Sequence, residues 1–63
     1  MSFICYVHHL DAGTPYMEVL GTSELAEAQI RAAELLHEHP GSVAAEIFQD
    51  DVSVARITSA AHG

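Results

Sequence analysis

In this 63-residue chain, one segment, residues 23–39, reads as an amphipathic helix, and it stands between two stretches whose alternating residues are apolar on both sides. One helix covers one face of a sheet. The other face must be covered by something else or stay wet, which narrows the chain to a two-layer α+β unit with an open side.

The helix signals are local and concordant. Gly21-Thr22-Ser23 supplies a break followed by a hydroxyl cap, Glu24 and Glu27 fall at the positive end of the helix dipole, and Pro40-Gly41 stops the run. Projected at about 100° per residue, Leu25, Ala28, Ala32, Leu35, Leu36 and His39 share one face. Glu24, Glu27, Arg31, Glu34 and Glu38 form the opposite, solvated stripe. Ala26, Ile30, Ala33 and His37 lie between them and widen the apolar arc.

Four strands are predicted around that helix, over 3–10, 16–20, 43–48 and 52–58, with a frayed tail at 59–63. Asp11-Ala12-Gly13-Thr14-Pro15 and Gln49-Asp50-Asp51 have the chemistry of turns, so the layout is ββαββ in one small domain, 1–63. The expected architecture is a four-stranded, mainly antiparallel sheet with one helix packed on one face. If the first loop spans five residues, Val7 pairs with Val19 and His8 with Glu18; a three-residue second loop pairs Phe48 with Val52. One face then gathers Phe3, Cys5, Val7, Met17, Val19, Val43, Ala45, Ile47, Ala55 and Ile57, residues suited to an alanine-rich helix. The other gathers Ile4, Tyr6, His8, Leu10, Tyr16, Leu20, Phe48, Val52 and Val54, interrupted by Glu18, Glu46 and Arg56. Left bare, that second face exceeds the roughly 300–600 Å² of the largest apolar patch on an ordinary soluble monomer.

Composition limits what could cover it. Nine Asp and Glu oppose only Arg31 and Arg56, for a net charge of −7 with histidines neutral. Nucleic-acid phosphates and anionic membranes both ask for the opposite sign, so neither is an expected partner. Cys5 is the only cysteine, which excludes an internal disulfide and fits a reducing, cytoplasmic setting. Neither a signal-peptide pattern nor an apolar run of about 20 residues occurs. A chain this short also gains little stability from one core layer, and self-association is a common remedy.

Five histidines invite a metal, but their spacing argues against one. His8 and His9 are adjacent on a strand and point to opposite faces; His37 and His39 are two apart at a helix end and diverge. The latter pair is explained by the carbonyls of the last turn, and His62 lies in the tail. No metal site, cofactor or catalytic residue is assigned. Cys5, on the predicted core face with no basic neighbour, is expected to be an inert thiol. Asp50-Asp51 lacks the remainder of a calcium loop and reads as a turn.

Three functions follow as expectations. The first is a non-enzymatic homodimeric interaction module that uses Ile4, Tyr6, Leu10, Tyr16, Leu20, Phe48, Val52 and Val54 as its interface. The second is a small-ligand or metal site at a subunit junction, open to acid/base chemistry, built from His8, Glu18, Tyr6 and Arg56. The third is an acidic inhibitor or nucleic-acid mimic that presents Glu24, Glu27, Glu34 and Glu38.

Overall fold

The computed structural model describes residues 2–10 and 13–58; the predicted tail, 59–63, and Asp11 and Ala12 of the first turn lie outside the described residues. The elements run β1 (Phe3–His9), β2 (Tyr16–Leu20), α1 (Leu25–Glu38), β3 (Ser42–Gln49) and β4 (Val52–Thr58). All strand pairs are antiparallel, and the order across the sheet is β2-β1-β3-β4. The expected α+β layout is therefore present, with the two hairpins joined through a central β1–β3 pairing.

The helix is shorter than predicted at both ends. Glu24 caps it in extended conformation, and the hydroxyl at this end is Thr22 rather than Ser23. Thr22 Oγ1 accepts a hydrogen bond from the Glu24 N–H at 3.0 Å and donates one to Glu27 Oε1 at 2.7 Å. At the other end the His39 N–H bonds to the Leu35 carbonyl, and Ser42 Oγ bonds to the Leu36 carbonyl at 3.1 Å. Gly41 makes the reversal into β3 with φ +90°, a conformation that disfavours any side chain. The Leu10 N–H bonds to the Gly41 carbonyl and fastens the end of β1 to that reversal.

The core lies between α1 and one face of the sheet. Phe3, Cys5, Val7, Leu20, Ala28, Ala32, Leu35, Ala45 and Ile47 are buried together, with Leu36, Ala55 and Ile57 packed at the margin. Alanines at positions 28 and 32 let the helix sit close to β3, and Leu35 and Ile47 supply the bulk. Leu25 is 39% exposed and Ile30 62%, which leaves the helix seam narrower than its apolar arc.

The register of the first hairpin differs from the expectation by an odd number of residues. Val7 pairs with Tyr16, Cys5 with Glu18 and Phe3 with Leu20, because eight residues, three more than assumed, separate the last paired positions Val7 and Tyr16. An odd shift exchanges the faces of β2 completely. Met17 and Val19 leave the predicted core for the open side, while Tyr16, Glu18 and Leu20 move to the helix side.

In the second hairpin, Asp50 (φ 53°) and Asp51 (φ 67°) form a two-residue turn of type I′ geometry, so Gln49, not Phe48, pairs with Val52. By alternation Val52 thereby leaves the open face. Phe48 pairs with Ser53, and Val54 is an extra residue in β4 that restores the expected faces beyond it: Glu46 opposes Arg56, and Ile47 opposes Ala55. Val43 is likewise an extra residue, in β3 opposite the His8/His9 step, and is exposed instead of joining the core.

Candidate functional site

The open face is built from three transverse rows, each fixed by strand register. Met17, Tyr6, Glu46 and Arg56 form the middle row; Val19, Ile4, Phe48 and Ser53 form one flank, with Val54 beside Ser53; His8, Ala44 and Thr58 form the other. The helix lies on the reverse side, and nothing among the described residues covers this one. Met17 is 51% exposed and Val19 59%, whereas Ile4, Tyr6 and Phe48 are half-buried by each other. The Tyr6 and Phe48 rings meet edge to face with centroids 5.4 Å apart.

Polar groups gather at the middle of this surface. Glu46 accepts a hydrogen bond from Ser53 Oγ at 2.9 Å and stands 3.7 Å from the Arg56 guanidinium. His8 Nε2 lies 3.5 Å from Glu46 Oε1, is shielded from solvent and has no hydrogen-bond partner. Beside these groups a shallow depression of about 350 Å³ is lined by Ile4, Tyr6, His8, Glu46 and Phe48, with Asp50 and Asp51 at its end.

Of the four residues predicted for a junction site, the structure brings His8, Tyr6 and Arg56 to one face and puts Glu18 on the other. The His8–Glu18 couple is not formed. The carboxylate beside His8 is Glu46, which follows from the β1–β3 pairing; that pairing joins strands from different hairpins, so neither turn signal reports it. Of the predicted interface, Ile4, Tyr6, Phe48 and Val54 lie on the open face; Tyr16, Leu20 and Val52 do not. Leu10 lies beyond the end of β1 and is 80% exposed.

On the helix side, Glu18 is held by Arg31. The guanidinium bonds through Nε to Glu18 Oε2 at 2.9 Å and through a terminal nitrogen to Oε1 at 3.3 Å, and it reaches Glu34 and Glu38 at 3.2 Å each. This pairing holds the Glu18 carboxyl below its usual range against the opposing effect of burial, and the Tyr16 hydroxyl, donating at 3.0 Å, helps. The same hydrogen bond to Glu18 pushes the Tyr16 hydroxyl up. The Tyr16 ring lies 4.5 Å from that of His39, which in turn meets His9 at 5.9 Å. His39 thus packs against β1 and β2, in line with its projection onto the apolar face of the helix and beyond the interaction with last-turn carbonyls expected of it. Burial pushes the Cys5 thiol up, with Glu18 adding to the effect, and keeps it protonated in the core.

Among the described residues, no three His, Cys, Asp or Glu side chains converge in a way that could hold a metal ion. No helix among them is long and apolar enough to cross a membrane. No family model, no curated protein and no solved structure matches this chain.

Proposed function

We propose that the chain is a non-enzymatic, self-associating interaction module of a reducing compartment, which joins a second copy through its open sheet face. The observation that carries this reading is the row of uncovered side chains Val19, Ile4, Phe48 and Val54 beside Met17 and Tyr6 on a face with little net charge.

Charge favours a second copy over other proteins. Glu18, Glu34 and Glu38 surround Arg31 on the helix side, and Glu24 and Glu27 add to the negative charge there, so two copies repel each other on that side. On the open face Glu46 is matched by Arg56, and apolar contact meets no such opposition. A basic partner is drawn instead to the helix side. Size is consistent too: a slab of 31 × 22 × 16 Å presents a sheet face able to bury about 800 Å² per subunit, the ordinary scale of a specific interface. The need is plain from the core, where Ala28, Ala32 and Ala45 are three of the nine residues buried together. A layer so thin gives only about 3–5 kcal/mol.

Sedimentation of the untagged protein over the micromolar range tests the proposal. The expected result is a dimer that Phe48→Asp or Ile4→Asp converts to a folded monomer; a wild-type monomer at the upper end of the range overturns it. A ligand-binding reading has one observation of its own, the depression beside His8, and a native mass spectrum of the purified chain carrying extra mass would favour it.

A further inference from the structure

We propose that in the dimer the two-fold axis runs parallel to the strands, between β1 and β3, so that Tyr6 of each copy donates a hydrogen bond to Glu46 of the other. This inference rests on the reading of the open face as the contact between copies.

The argument begins with symmetry. Two sheets that pack face to face with near-aligned strands sit about 10 Å apart, and the two-fold axis lies in the plane between them. If the axis runs along the strands, rotation keeps each residue at its own level and reverses the order across the sheet. The central pair β1–β3 then faces its own reverse, so β1 lies over the partner's β3 and β2 over its β4. Each row meets itself backwards: Met17-Tyr6-Glu46-Arg56 opposes Arg56-Glu46-Tyr6-Met17, and Ile4 opposes Phe48. If the axis runs across the strands instead, each strand lies over its own copy.

The distribution of polar groups separates the two arrangements. Glu46 and Arg56 are the ionised residues of the middle row, and they occupy β3 and β4 at one level. An axis across the strands and through this row stacks Glu46 on Glu46 and Arg56 on Arg56, and like charges so opposed cost several kcal/mol. Moving that axis by half a row avoids the repulsion but presses Glu46 onto Phe48, which offers no donor. With the axis along the strands, Glu46 meets the Tyr6 hydroxyl, which has no hydrogen-bond partner among the described residues, and Arg56 extends its aliphatic stem over Met17. A Tyr–carboxylate hydrogen bond removed from water is among the stronger kinds, and both of its members are already placed by register. The half-buried Glu46 keeps its Ser53 and Arg56 contacts as well, so its charge is not left alone when water leaves.

Cross-linking decides between the arrangements. In a Cys5→Ala background, Met17→Cys and Arg56→Cys are prepared separately; both positions are at the rim and exposed, and sedimentation first confirms that each variant is dimeric. Each alone and an equilibrated mixture are treated with a short bis-maleimide, and the products are identified by mass. The expected result is cross-linked dimer in the mixture, with one chain of each kind, and little from either variant alone. With the axis along the strands, two copies of residue 17 are separated by three strand spacings, about 14 Å, in addition to the gap between sheets. Efficient linking of Met17→Cys to itself overturns the arrangement while leaving the dimer intact. A monomeric wild type overturns both the arrangement and the function from which it starts. Should either variant fail to dimerise, Val19→Cys with Val54→Cys, one row away on the same two strands, gives the same discrimination.

Discussion

The two faces of the sheet are made from the same strands and solve opposite problems. On the helix side the polar groups beside the core are paired inside the chain: Glu18 with Arg31, Tyr16 with Glu18, and Arg31 further with Glu34 and Glu38. Apolar bulk there is modest, and alanine makes room for the helix. On the open side the bulk is larger and less covered, whereas the polar groups are only partly answered, with His8 Nε2 lacking a hydrogen bond. A face that is apolar and incompletely paired has the chemistry of a contact surface, while the opposite face of the sheet is covered by α1 and its Glu18 is paired. On the proposed reading, stability and association are divided between the sides of one four-stranded sheet.

Adjacent residues on β3 give the strongest way to break that division. Ile47 points to the helix and is fully buried; Phe48 points to the open side. Ile47→Ala should cost about 3 kcal/mol of folding free energy, a large part of what so small a domain has. Urea titration reads this loss directly, and the folded fraction should keep the wild-type dimer constant. Phe48→Ala should do the reverse, weakening association by roughly ten- to a hundred-fold in sedimentation, with a smaller loss of stability that grows on dilution. Equal effects of the two substitutions in both assays would erase the distinction between the faces.

How much of this was legible in the sequence depended on whether the signal was local. The helix, its buried Ala28, Ala32 and Leu35, and the side of β1, with Phe3, Cys5 and Val7 inward, follow from periodicity alone. The faces of β2 do not, because they hang on the length of one loop: a shift of three residues moved Tyr16, Glu18 and Leu20 to the helix side and brought Met17 and Val19 out. The second turn lies where the sequence places it, but it is one residue shorter than the three-residue loop Gln49-Asp50-Asp51 expected there. Two adjacent aspartates are an uncommon choice where both central residues need positive φ, and Asn-Gly would have announced the turn type. The bulge at Val54 compensates, so Glu46 and Arg56 share a face as the alternation predicts, although the expected register sets Glu46 against Val54 and not Arg56. The Arg31 clamp combined both kinds of information: the helical stripe was plain, but its partner Glu18 required the register.

That turn offers a smaller test, located at the end of the open face. Asp50 and Asp51 both adopt the left-handed conformation, which an L-residue enters at a cost of about 1–2 kcal/mol. Asp51→Gly should relieve part of this strain and stabilise the protein by about 0.5–1 kcal/mol. Gly41→Ala, in the other positive-φ connection, should destabilise by a similar amount, about 1 kcal/mol, although no atom lies close enough to clash with a new methyl group. Thermal melts of both variants measure the pair. A stabilised Asp51→Gly that also lost association would show that the carboxylate serves the open face, and would move the contact surface toward the turn.

The smallest expected effect belongs to the helix side and concerns pH. Because Arg31 holds the Glu18 carboxyl below its usual range, the folded state binds a proton there less readily than the unfolded chain, in which a glutamate titrates at about 4.3. The stability this linkage contributes is fully present above that unfolded value and is lost as pH falls from it through the lower folded value. Urea midpoints measured from neutral to acidic pH should therefore fall less steeply for Glu18→Gln than for the wild type on the acid side. Other carboxylates titrate in both proteins, so the difference between the curves isolates Glu18. Arg31→Gln should flatten the same limb, and the double variant should be no flatter than either single one, because a single pairing is being removed in all three. Added salt should shrink the difference, since the pair lies at the surface and is screened. Parallel acid limbs would mean that Glu18 and Arg31 meet without coupling, and the helix face would then be closed by its apolar contacts alone.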